Sequence, residues 1–271
     1  MVSRRAERRL VRLMIGAALA SPCALAAQSV ALRISPKVGD TLRARFDEQH
    51  EMTLATKMKN VDTSMTVKSI MVLLARTVVK RRDESGTDVT TVTDSVALSG
   101  SRGGVAQSVP EAARRAYQGH RIDVHFTPQG VATVVEGAND MPTELQSLTA
   151  QMPATLPPQT VTVGQTWTQA MLVPIPSQFG NASAATMRTV YRLDSLGHSG
   201  AIAYISMNGI ITRDSSAADI RPGTKMVSNG SISGVLMIDR KRGWWSGFVF
   251  TMVVHSTLVD STNPEPVHFE T

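Results

Sequence analysis

Alternating apolar and polar residues run through most of the chain and predict β-strands. Between Leu42 and Leu54 every second residue is apolar except Glu48 and His50, and the residues between them are polar or charged. Successive side chains point to opposite faces of a strand, so this pattern predicts a long strand with one face against a core. Further strands are predicted over residues 68–79, 89–98, 121–126, 131–135, 187–193, 201–212, 232–238 and 244–258.

Two short helices are predicted between the strands. Ser108 and Glu111 have the spacing of a capping box, and Gly119 is a suitable stop. The second helix is predicted over residues 141–152, where an apolar stripe at helical spacing indicates packing. The fold is therefore predicted to be mainly β, an antiparallel curved sheet or open half barrel with two short α-helices.

Similar markers recur in the same order in the two parts of the chain. Val38–Thr41 resembles Val163–Thr166, and Arg76–Val78 resembles Arg188–Val190. A pair of glycine turns then follows in each part, at positions 86 and 130 and at positions 200 and 243. These matches predict two diverged halves, residues 30–136 and 160–260, with a helical linker over 137–159. The alternative is that β-proteins reuse similar turns.

A secretion signal is predicted for residues 1–26. Five arginines near the start precede an apolar run and then small residues up to Ala26, which is the order of such a signal. The apolar run is shorter than the roughly 20 residues that span a bilayer. We expect cleavage after about Ala26 and a location in the periplasm or outside the cell. A lipid on Cys23 is not expected, because proline precedes it.

Removal of the leader lowers the predicted excess of basic over acidic residues. The full chain has 28 Lys and Arg against 22 Asp and Glu, and the leader takes five arginines and one glutamate, which leaves 23 against 21. A nucleic-acid-binding domain needs a clustered basic surplus, so no nucleic-acid partner is expected. The only cysteine also lies in the leader. Residues 27–271 are therefore expected to form a single, mostly β domain without disulfides or thiolate chemistry.

The sequence contains none of the common catalytic or metal-binding motifs. Gly230–Gly234 resembles a nucleophile elbow, but Ile232 stands at the position of the nucleophile. Asp123 and His125 share a strand face, and two ligands do not make a zinc site. No catalytic residue, metal or cofactor is predicted, although an enzyme whose site residues come from scattered strands stays an alternative.

Glu48 and His50 are the candidate ligand-binding residues, together with Phe46 and Met52 beside them. They share the predicted apolar face of the first long strand. Burying a charge without a partner is costly, so charged residues on such a face lie at a rim or are paired. A bulge that resets the alternation is one interpretation, a strand end that projects past the core is the second, and a polar anchor inside an apolar cavity is the third.

Two short basic runs, Lys80–Arg82 and Arg240–Arg242, lie near predicted turns. One interpretation is a solvated hairpin tip, and the other is peripheral contact with an anionic membrane surface. Next to the second run, Trp244 is predicted to be in the core and Trp245 to point toward solvent.

Four further segments carry strand-and-turn motifs: V-G-D-T at Val38–Thr41, P-x-G-V at Pro128–Val131, L-P-P-x-x-V-x-V-G-x-T-W at Leu156–Trp167, and G-x-I-x-G-x-x-x-I-D-x-x-x-G at Gly230–Gly243. With the export signal, they resemble an uncharacterised bacterial family of exported proteins and lipoproteins. The resemblance implies no activity. It implies a shape similar to the curved half barrels of lipoprotein-carrier proteins, an analogy at the level of the fold.

The function predicted from these observations is that of an exported cell-envelope binding or carrier protein for an apolar small molecule or lipid, without catalysis. The main alternative is an envelope scaffold with a filled core and no ligand.

Overall fold

The computed structural model describes residues 29–58, 61–137, 156–174, 184–213, 223–260 and 263–270. In these residues twelve β-strands form one open antiparallel sheet, accompanied by one short helix, so the predicted mainly β fold class is confirmed. The strands are β1 (Thr41–Met58), β2 (Val61–Arg82), β3 (Thr87–Arg102), β4 (Val105–Gln107), β5 (Arg121–Phe126), β6 (Ala132–Glu136), β7 (Thr166–Pro174), β8 (Ala184–Gly197), β9 (Ile202–Arg213), β10 (Thr224–Asp239), β11 (Trp244–Asp260) and β12 (Asn263–Glu270).

The helix α1 (Glu111–Tyr117) lies between β4 and β5. The predicted leader over residues 1–26 and the predicted helix over 141–152 lie outside the described residues. The described part of the chain contains no helix that is long and apolar enough to cross a membrane.

Strands that are neighbours in the sheet are mostly neighbours along the chain. The order is β6-β5-β3-β2-β1-β12-β11-β10-β9-β8-β7, with β4 paired to β3. The last strand thus returns to pair with the first, and β6 and β7 are the edges of the described sheet. We call one end of the strands the base; it holds the turns at residues 37–40, 83–86, 127–130, 162–165, 198–201 and 240–243. The opposite end is the open end.

A hydrophobic core fills the base. We call β1 to β6 the first part of the sheet and β7 to β12 the second part. The core contains buried side chains from both, including Val79, Val89 and Phe126 from the first part and Tyr191 and Leu193 from the second. In β8 buried and exposed side chains alternate strictly from Ala185 to Leu193, as expected for a sheet with one covered face. We call the covered face the inner face and the other the outer face.

Residues 29–36, the basal segment, cross the base in an extended conformation. Val30 and Val161 exchange two backbone hydrogen bonds, of 2.8 and 2.9 Å. Further along, the N–H of Ile34 donates to the carbonyl of Pro128 (2.9 Å) and that of Ser35 to the carbonyl of Gly243 (2.8 Å). The basal segment therefore ties together turns from distant parts of the sheet. Its inward side chains are buried: Val30, Leu32 and Ile34.

The turns at 37–40 and 162–165 have the same hydrogen bonds. Gly39 donates to the carbonyl of Val79 (3.0 Å), and Gly164 donates to that of Leu193 (2.7 Å). In each turn the fourth side chain accepts a bond from the first backbone N–H. Both glycines have positive φ, 89° and 88°, which favours glycine. The strands β1 and β7 thus enter the sheet through equivalent turns.

This equivalence changes one detail of the repeat. In the equivalent turns Val79 corresponds to Leu193, so Arg76–Val78 aligns with Val190–Arg192. The sequence match aligned it instead with Arg188–Val190, two residues earlier. A shift of two keeps every side chain on its face, so the apolar pattern alone did not reveal it. Duplication of the two halves stays a prediction.

Two local expectations were wrong. Ser108 does not cap α1: the N-cap is Pro110, in an extended conformation and without a side-chain cap hydrogen bond. Trp245 does not point to solvent. A register shift in the β10–β11 pairing places it opposite buried Ile238, and its ring lies 4.7 Å from that of Trp244. Such a bulge reverses the alternation on which the prediction rested.

Candidate functional site

The inner face of the sheet is the candidate site, because its apolar residues are covered unevenly. Near the base, inner-facing residues such as Leu193, Ile205 and Ile238 are fully buried. Toward the open end, the inner face of β1, β2 and β11 keeps half-buried apolar side chains: Phe46, Met52, Leu54, Met65, Val67, Phe250, Met252 and Val254. The described part of the protein thus leaves an apolar surface partly uncovered at the open end.

The structure places all four candidate ligand-binding residues on this face. Glu48 pairs with Met71 across β1 and β2, in a register that runs without a shift from Thr41 to Met58. The interpretation of a bulge is therefore excluded. Phe46, Glu48 and Met52 are half-buried, whereas His50 is exposed. Glu48 and His50 thus lie where the covered part of the face gives way to the uncovered part.

Phe46 also joins the two parts of the sheet. Its ring lies 5.8 Å from that of Phe248 on β11, and the ring of Phe248 stacks on Phe250 at 6.0 Å. The strand β12 separates β1 from β11 nearer the open end, where it pairs with Thr53–Ala55. These three aromatic rings therefore lie side by side on the inner face, between β12 and the base.

The helix α1 covers the lower inner face of the first part of the sheet. Tyr117 is buried against Met71, Leu73 and Ala75, which all belong to β2. The sequence indicated a helix here but not that its last residue fills this space, because the contact joins positions more than 40 residues apart. The inner face of β2 is therefore covered by Tyr117 near its middle, and its half-buried residues Met65 and Val67 lie farther toward the open end.

Polar groups are buried on the inner face of the second part of the sheet. Arg213, which is 5% exposed, ends β9 opposite Ser228. Its Nη1 donates to the carbonyl of Met226 (3.2 Å), and the Ser228 hydroxyl lies 2.8 Å from that of Ser256. Sequence reasoning missed Arg213. A signal was present in the sequence: Arg213 is a charged residue at a position where the alternation of β9 predicts an apolar one, as Glu48 is in β1.

A separate cluster of ionisable groups lies on the outer face near the base. His125 Nδ1 is 2.6 Å from Asp88 Oδ1, and Arg81 Nε donates to Asp88 Oδ2 at 2.7 Å. The hydrogen bond with His125, and after it that from Arg81, lowers the pKa of Asp88 below its usual range. Asp123 bonds instead to Thr90. Among the described residues no three His, Cys, Asp or Glu side chains are grouped so as to hold a metal ion.

The lowered pKa of Asp88 predicts a pH-dependent contribution to stability. A carboxyl group with a lowered pKa stabilises the fold above its unfolded pKa of about 3.9, and this contribution is lost as pH falls through the folded pKa. We expect Asp88→Asn to lower the free energy of unfolding by about 0.5–1 kcal/mol at pH 5, and by much less at pH 2.5. Urea unfolding at the two pH values measures this difference.

Asp94→Asn is the matched control for loss of an outer-face carboxylate, since Asp94 forms an exposed ion pair with Arg76 (3.0 Å). An effect of Asp88→Asn that is equal at both pH values would contradict the prediction.

The comparisons with known proteins concern the second part of the chain. Residues 138–245 match the model of a family described as "Family of unknown function (DUF6263)". Among the described strands, the match includes β7 to β10 and the first two residues of β11. No curated protein and no solved structure matches the chain. The matched segment is therefore similar to a family of unknown function, in agreement with the resemblance to an uncharacterised family.

Proposed function

We propose that the protein is an exported cell-envelope carrier or binding protein for an apolar ligand such as a lipid acyl chain. The observation that carries the proposal is the half-buried apolar surface on the inner face at the open end, which includes Met52, Val67 and Met252. Leaving apolar area in water costs about 25 cal/mol per Å². A continuous uncovered apolar surface in a folded protein is commonly a binding site.

The arrangement of the two ends supports entry of the ligand from one direction. The basal segment and the core fill the base, while Tyr117 fills the lower inner face of the first part. Small-molecule sites are mostly apolar with a few polar groups that orient the ligand. Here Glu48 and His50 would contact the polar end of the ligand near the transition between covered and uncovered surface.

Export belongs to the same proposal. Cleavage of the leader after about Ala26 would leave a new N-terminus only a few residues before the basal segment. The mature chain would then begin next to the part of the molecule that covers the base.

An envelope scaffold without a ligand is the second candidate function. The observation that favours it is the filled base, where core residues such as Leu193 and Ile205 are fully buried. In a scaffold the apolar surface at the open end would be covered by other parts of the chain or by a partner, and no apolar probe would bind.

Filling the inner face tests the proposal. Val67 is half-buried and faces inward on β2, near the open end. We expect the native protein to bind a fluorescent fatty-acyl probe, and Val67→Trp to weaken this binding by at least about tenfold, which corresponds to about 1.4 kcal/mol. The indole would occupy the space of the acyl chain. Fluorescence titration measures the affinity.

The matched control is Ile70→Trp, which adds the same side chain to the outer face of β2, where Ile70 is 45% exposed. This variant should bind the probe like the native protein, and both variants should keep native circular dichroism. Absence of probe binding to the native protein, or equal affinities of the two variants, would favour the scaffold.

A further inference from the structure

The two basic runs, far apart in the sequence, meet at the base through the basal segment. Arg82 Nη1 donates to the carbonyl of Ser35 (2.9 Å), and the N–H of Ser35 donates to the carbonyl of Gly243 (2.8 Å), directly after the run Arg240–Arg242. Arg33 is exposed and lines, with Arg82, a groove of about 270 Å³ beside the basal segment. The fold thus gathers these cations on one surface, which we call the basal surface.

The basal surface has a surplus of positive charge. Its acidic residues are Asp40, Asp83, Glu84, Asp88, Asp123 and Asp239, and its basic residues are Arg33, Lys37, Lys80, Arg81, Arg82, Arg240, Lys241 and Arg242. Beyond residue 26 the whole chain has only 23 basic against 21 acidic residues. The excess of positive charge is therefore concentrated at the base.

Ion pairing leaves much of this surplus available. Arg81 pairs with Asp83 (3.3 Å) and Asp88 (2.7 Å), and Arg242 lies 3.8 Å from Asp239. Within the described part of the chain, five exposed cations of the basal surface have no ion pair: Arg33, Lys37, Lys80, Arg82 and Lys241. Arg82 is held by its hydrogen bond to the carbonyl of Ser35, and Lys80 interacts with the carboxylate of Asp123. Arg33, Lys37 and Lys241 can reach an external anionic partner without breaking an ion pair.

Exposed valines also lie at the turns of the base. Val38 is 60% exposed and Val163 is 48% exposed, each at the tip of one of the two equivalent turns, and Val131 is 44% exposed after the turn at 127–130. Apolar tips beside cations suit the boundary of a lipid bilayer, where the apolar groups enter the headgroup region and the cations meet phosphates.

We propose that the basal surface docks on an anionic phospholipid bilayer. The cations contact lipid phosphates, and the valines at the turn tips contact the boundary between headgroups and acyl chains. In this orientation the open end points away from the bilayer. Docking is therefore independent of the apolar ligand proposed above, since the two sites lie at opposite ends of the sheet.

Sedimentation with vesicles tests the proposal on the processed full-length protein. We expect binding to vesicles of phosphatidylglycerol and phosphatidylcholine in equal parts, and none to phosphatidylcholine alone. Raising the salt concentration from about 0.1 to 0.5 M should weaken the binding, because salt screens exposed charges. The double variant Lys80→Glu/Lys241→Glu should reduce the partition coefficient by at least about tenfold.

The matched control is Arg102→Glu/Arg188→Glu, which changes the net charge by the same amount at exposed positions away from the base. It should bind the anionic vesicles nearly as well as the native protein. Val67→Trp should also bind them, which separates docking from ligand binding. No binding of the native protein to anionic vesicles, or equal losses in the two double variants, would overturn the proposal. Both double variants are compared only after their thermal unfolding is shown to match that of the native protein.

Discussion

Replacement of Leu32 by aspartate is expected to unfold the protein at neutral pH. Leu32 is 1% exposed and lies in the middle of the basal segment, within the core of the base. Loss of a buried leucine side chain costs about 2–5 kcal/mol, and a buried carboxylate without a partner adds several more. The sum approaches the entire stability of a typical domain, about 5–15 kcal/mol.

Circular dichroism and the yield of soluble protein measure this effect. Ala31→Asp is the control, because the neighbouring side chain is exposed on the other face of the same segment. That variant should melt within a few degrees of the native protein. Native-like melting of Leu32→Asp would mean that the basal segment is not an integral part of the core.

The basal segment also shows what the sequence could and could not predict. Val30, Leu32 and Ile34 alternate with Ala31, Arg33 and Ser35, so the signal of an extended segment with one buried face was present. Its partners could not be predicted, because the hydrogen bonds join residues about 90 to 210 positions apart, as from Ile34 to Pro128 and from Ser35 to Gly243.

The long strands were predictable because their alternation persists over many residues. Three strands were missed, and each depends on tertiary pairing. The strand β12 contains Pro264 and Pro266, and proline is unfavourable in a strand interior. It is held by pairing of its last residues, Val267–Glu270, with β11 and β1. The edge strand β7 and the three-residue strand β4 have only weak patterns of their own.

The candidate site was predictable in part, for the same reason. Glu48 lies on the inner face because nothing interrupts the alternation of β1, whereas Trp245 was misplaced because a bulge interrupts that of β11. The space filled by Tyr117 and the position of Arg213 beside Ser228 arise from contacts between strands that one strand's pattern does not contain.

The motif Gly230–Gly234 in β10 resembles a nucleophile elbow in sequence, but its two glycines have a structural role. Gly230 and Gly234 lie on the inner face of β10, four residues apart, where β11 approaches closely. A Cβ at Gly234 would lie 2.7 Å from the Cα of Phe250 and would collide with the carbonyl oxygen of Val249. Real Cβ atoms do not come this close to a backbone, so the two strands can adopt their spacing only with glycine here.

Gly234→Val is therefore expected to destabilise the protein by about 3 kcal/mol or more, since the clash is with backbone that cannot move without breaking the β10–β11 ladder. For a domain of this size, that loss lowers the melting temperature by about 10 °C. Ser233→Val is the matched control: Ser233 is exposed on the outer face, valine suits a strand, and the change in stability should stay within about 0.5 kcal/mol. Urea unfolding of the two variants compares them directly. Equal stabilities would show that β11 can move away from β10 at little cost, and the close approach at Gly234 would then not be what requires glycine in this motif.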